Sequence, residues 1–160
     1  MPPPSPYAAP CATLRCMFAD TLLQLERGHL LRLGVWSVGS IFVGIVFLVL
    51  LARRHDKAPF IKHFAIQMLA WGAVDLALVL SGWHGLGFRD FQAALELQQF
   101  LWLNVGLDAG YIGIGMTLAL AGWQLARRMG AVGAGVGISL QGIGLLVLDV
   151  RLLALIGPPR

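Results

Sequence analysis

At 160 residues the chain has room for one compact domain, and 58% of it is hydrophobic against 12% charged, with a mean hydropathy of +0.75. Soluble domains carry about 25% charged residues, so this composition excludes a fully water-facing surface and makes lipid the expected solvent. The net charge of +4 and pI near 9.7 do not point to nucleic acid, because basic residues commonly flank membrane spans and no basic stripe with interleaved aromatics is present.

Residues 1–16, MPPPSPYAAPCATLRC, are proline-rich and lack the apolar core of a signal peptide; a flexible segment is expected. Cys11 and Cys16 within it could form a disulfide in an oxidising compartment, but no C-x-x-C exists to support thiol redox chemistry. Four later runs reach the about 20 apolar residues that cross about 30 Å of hydrocarbon: Leu31–Ala52, Phe60–Trp83, Leu97–Trp123 and Ala131–Ile156. Asp20 and Asp90 are read as helix N-caps, whose carboxylates accept from the orphan N–H groups of a first turn. Helices starting there extend the first and third spans beyond the bilayer and carry Glu26 and Glu96 on the extensions.

Polar residues inside the spans follow helical spacing. Gln67, Trp71 and Asp75 climb the second run in steps of four; Asn104, Asp108 and Tyr111 fall on one face of the third. The fourth carries Gln141 and Asp149. Gly106 and Gly110, and Gly133 and Gly137, have the small-xxx-small spacing that lets helix backbones approach closely in lipid, and tight antiparallel packing is expected from both pairs. The five tryptophans are expected mainly as interfacial anchors.

The chain repeats itself. Phe18, Asp20, Leu25, Glu26, Leu31, Leu33 and Val35 recur seventy residues later as Phe88, Asp90, Leu95, Glu96, Leu101, Leu103 and Val105. At an offset of 74, LARR at 51–54 recurs at 125–128, Gln67 matches Gln141, and Asp75 matches Asp149. The implied organisation is two tandem two-span hairpins, residues 17–82 and 87–156, related as parallel repeats by an axis along the membrane normal.

Each intramembrane aspartate costs roughly 2.5–3.5 kcal/mol at a helix centre, which is tolerated when it faces the bundle and finds a partner or takes up a proton. Asp75 and Asp149 each lie 21 residues past an Arg-Arg pair, and Asp108 lies about 16 Å into a span of opposite direction at 1.5 Å per residue. The three should therefore gather between the midplane and the side bearing the termini. Arg32 and Arg151 are the expected counter-charges. Interhelical glue is one reading of such a cluster; a pathway for a proton, ion or substrate is the other. His29 and His84 belong near the terminus side, His55 and His63 near the loop side; as interface residues they make haem unlikely, and no metal set, phosphate loop or nucleophile motif is present. No cofactor is expected beyond bound lipid.

The raw Lys/Arg count ties at six a side, but Arg32 and Arg151 fall within the spans and Arg15 far from one. The dense RRHDK loop favours that side as cytoplasmic, leaving both termini outside.

The motif LNVGLDAGYIGIG, followed by a basic pair and later by LQGIGLLVLD, resembles a family of small four-span bacterial membrane proteins without an assigned function. The resemblance covers about residues 18–156, centres on Asn104, Asp108, Tyr111 and Asp149, and implies a bacterial inner-membrane location. The expected architecture is an all-α transmembrane four-helix bundle. The expected function is that of a non-enzymatic accessory subunit, in contact with lipid and with other integral membrane proteins or itself; the alternative is a proton- or cation-coupled carrier. An enzyme acting on a lipid or quinone ranks third, for want of any nucleophile or metal set.

Overall fold

The computed structural model describes residues 8–54 and 58–157, with side chains from Ala19 onward except that of Ala126. Residues 1–7 and any Cys11–Cys16 disulfide lie outside that description, while residues 8–16, expected to be flexible, are helical. Four helices form the molecule: α1 Ala8–Arg54, α2 Pro59–His84, α3 Phe91–Ala126 and α4 Met129–Ile156. All four are long and apolar enough to cross a membrane, so the chain is an integral membrane helical bundle.

Local chemistry explains the boundaries. Pro59 opens α2 at the first helical position, where its missing N–H costs nothing and its fixed φ suits the helix. Asp90 is extended (φ −73°, ψ 179°) and accepts from Ala93 N at 2.8 Å, so it caps α3 as expected. Asp20 does not cap a helix. It lies exposed within α1, which begins at Ala8; no glycine or proline stands between residues 11 and 20 to end the helix before it. Arg127 closes α3 in the left-handed region at φ 46°, while Arg128 N donates to Gly122 O at 2.8 Å. These two residues reverse the chain into α4.

α1 packs along α2, and α3 along α4; the hairpins meet mainly through α2 and α4, with a smaller α1–α4 contact. Among the described residues, the α3 backbone approaches neither α1 nor α2. Close approach comes from missing side chains. A Cβ on Gly115 would strike Ser139 and the Gly135 backbone, and one on Gly135 would strike Gly115 and Ala119. Gly133 and Gly137 of α4 likewise abut Phe60 and Gln67 of α2. Gly106 and Gly110 depart from expectation, since nothing lies within 4 Å of either Cβ position. Their face of α3 is turned away from the bundle.

An ion pair ties the loop between α2 and α3 to α1. Arg89 Nε donates to both oxygens of buried Glu26 (3.0 and 3.2 Å) and Nη2 donates at 2.5 Å. These hydrogen bonds push the Arg89 guanidinium above its usual pKa, fixing its charge. Glu96, the repeat counterpart of Glu26, is exposed and only takes a 3.4 Å contact from Gln92.

Candidate functional site: an intramembrane carboxylate cluster

Helical spacing turns Asp75, Asp108 and Asp149 inward from α2, α3 and α4. All three are buried, at 1%, 4% and 6% exposure, and their carboxyl groups lie within electrostatic reach of one another. Their partners differ. Asp149 Oδ1 lies 3.4 Å from His29 Nε2 of α1, an ion pair when the imidazole is protonated, and the Asn104 side chain hydrogen-bonds to Asp149. Neither oxygen of Asp75 has a hydrogen-bond partner, and neither has Oδ2 of Asp108.

The surrounding polar groups are arranged in a second tier. Gln141, 1% exposed, accepts from Trp36 Nε1 at 2.7 Å and donates to Met68 Sδ at 3.6 Å, so one amide joins α1, α2 and α4. Gln67 is half-buried with its Cβ against Gly137. Trp71 and Tyr111 meet with ring centroids 4.7 Å apart, bridging α2 and α3 where their backbones stay apart. The structure thus assembles Asp75, Asn104, Asp108 and Asp149, with Tyr111 and Gln141 as neighbouring interhelical contacts.

Arg32 and Arg151 do not serve as counter-charges. Both are exposed, and among the described residues the ion pairs are His29–Asp149 and Arg89–Glu26. The Arg32 guanidinium folds back along α1 beside Gly28, as long cationic stems do when an aqueous boundary is in reach. The shorter imidazole of His29 fills the inward position instead. Sequence reasoning assigned His29 to the interface and gave Trp36 no polar partner. The signal was nevertheless present: Glu26, His29, Leu33, Ser37, Ser40 and Gly44 follow a three-four spacing, and all six are buried. Small Ser37, Ser40 and Gly44 mark that line as a packing face.

Chemically, a carboxylate shielded from water without a donor is costly, by several kcal/mol per ion. A proton or a small cation would offset that cost. Among the described residues, no three His, Cys, Asp or Glu side chains converge as metal ligands.

The chain matches the model of a family described as a family of unknown function (DUF6992) over residues 32–150. No curated protein and no solved structure matches it.

Proposed function

The chain belongs to the DUF6992 family, and we propose that it is a non-enzymatic accessory or structural subunit that docks to other transmembrane helices in a bacterial inner membrane. The observation that carries this reading is the isolation of α3. Among the described residues its backbone packs on α4 alone, with the Trp71–Tyr111 rings reaching α2, and its other side holds a shallow apolar groove along Gly110, Gly113, Ile114 and Thr117. In lipid, helices associate by close packing rather than by a hydrophobic drive, and glycine-lined faces permit it. The dense basic loop favours outward-facing termini for a lone copy.

Substituting Gly110→Leu or Gly113→Leu puts bulk into the groove from positions whose Cβ would have nothing within 4 Å. The expected result is loss of larger assemblies on native gels in mild detergent, with unchanged unfolding of the bundle. Assemblies of unaltered size would refute docking through α3.

A second reading, a proton- or cation-coupled carrier, draws support from the unpartnered oxygens of Asp75 and Asp108. Interhelical glue needs partners, and among the described residues these three oxygens have none. In liposomes Asp108→Asn should abolish pH-dependent flux; equal flux before and after would remove Asp108 from any pathway.

A further inference from the structure

We infer that the partner on the open face of α3 is the α3 of a second copy inserted in the opposite membrane orientation, an inference that rests on the docking reading above. Exposed positions on α3 recur with three-four spacing from Glu96 through Gln99, Leu103, Gly106, Gly110, Gly113, Thr117 and Leu120 to Gln124. That spacing is the seam of a left-handed helix pair. The sequence along it is self-complementary about a point between Gly110 and Gly113.

Antiparallel apposition about that point sets Gly110 against the partner's Gly113, where two bare backbones meet. Gly106 meets the partner's Thr117, whose hydroxyl is already satisfied by Gly113 O at 2.8 Å. Exposed Leu103 meets the partner's exposed Leu120 (60% and 56%), an apolar pair, and Gln99 meets Gln124, an amide pair able to hydrogen-bond across the helices. At each end exposed Glu96 comes beside the Arg127–Arg128 turn of the partner. Opposite charges close the seam twice.

A parallel pair would instead set Leu103 against Leu103, Glu96 against Glu96 and the arginine turns against each other. Like charges disfavour it.

Opposite insertion is open to this chain because orientation follows the Lys/Arg balance of the flanking segments, and the raw count is six against six when Arg32 and Arg151, near span ends, are included. The RRHDK cluster then gives a preference that some copies override. The occupant is a second copy on the ground that this face complements itself in backbone, amide and charge.

The test uses the full chain in native membranes, with Cys11→Ser and Cys16→Ser as background and two differently tagged copies co-expressed. Gln99→Cys in one copy and Gln124→Cys in the other should cross-link to each other, whereas Gln99→Cys or Gln124→Cys in both copies should not. Reporter fusions at the C-terminus should show both orientations in the same cells. Reversing one charge (Glu96→Arg) should weaken the dimer about threefold to tenfold, on the scale of two exposed ion pairs; a double reversal of Glu96→Arg with Arg128→Glu should restore it.

Cross-links between like positions, or a single orientation, would overturn the inverted pair. A chain monomeric in mild detergent whose α3 cysteines cross-link only to a different protein would overturn it too, while sparing the docking reading. If the α3 cysteines cross-link to no protein at all, both fall.

Discussion

Two buried aspartates at equivalent places in the repeat face different circumstances, and this difference is measurable. Asp149 has His29 and Asn104; Asp75 has neither oxygen satisfied. An unsatisfied buried polar group costs about 1–3 kcal/mol, so Asp75→Leu should leave stability unchanged or raise it by about 1 kcal/mol. Asp149→Leu should lower it by about 1 kcal/mol, the scale of interhelical polar contacts in lipid. Reversible unfolding in mixed micelles reads both, and a marked loss in Asp75→Leu would return that residue to a structural role. Glu26 and Arg89 invite a double-mutant cycle. Removing Arg89 leaves a buried carboxylate alone, a cost of about 3–5 kcal/mol for a fully buried pair. With the Arg89 side chain 28% exposed, about 1–3 kcal/mol is expected after solvent screening. The double replacement Glu26→Gln with Arg89→Gln should cost less than the two single losses added.

Among elements, α3 is the informative helix because its two sides carry glycine for opposite outcomes. Gly115 faces Gly135 and Ser139 at backbone contact, whereas Gly106 faces nothing within 4 Å. Gly115→Leu should therefore cost several kcal/mol, above the about 1–3 kcal/mol usual for overpacking because backbone has to move, and should part α3 from α4. Gly106→Leu should be neutral or slightly stabilising through helix propensity. Thermal unfolding of the two variants side by side makes the contrast. The same contrast shows where sequence reading stops. Small-xxx-small spacing marked Gly106 and Gly110 as readily as Gly133 and Gly137, and spacing on one helix does not identify which side has a neighbour. Span existence was legible because about 20 apolar residues leave few alternatives, and the Asp90 cap was legible because a glycine-containing loop precedes it. Asp20 misled because a capping residue ends nothing when helix formers precede it. The inward aspartates followed from the expense of charge in hydrocarbon. The identity of their partner did not, since Arg32 and His29 are one turn apart and only side-chain length separates the one that reaches water from the one that stays.

At the scale of the whole molecule, the two hairpins do not meet evenly: α4 touches α1, while the α3 backbone stays clear of α2. The two junctions are held by different side chains. Trp36 reaches from α1 to Gln141 of the other hairpin, whereas its counterpart seventy residues on, Gly106, lies on the outer face of α3 with nothing within 4 Å of its Cβ position. One side of the junction carries an indole–amide bond, and the other the Trp71–Tyr111 ring contact. α3 lies at the edge with its glycine seam uncovered. Each hairpin nevertheless holds its own internal contacts, so cutting the chain between Leu86 and Gly87 and co-expressing the halves should give fragments that insert independently and then associate through α2 and α4, in two stages. Removing the acceptor with Gln141→Leu should weaken their association about threefold to tenfold, the equivalent of one interhelical hydrogen bond of about 0.6–1.4 kcal/mol, while Gln67→Leu should change it little. Co-purification of tagged halves at graded detergent concentration measures both. Equal sensitivity to the two glutamines would mean that the indole–amide bond adds nothing particular to the junction.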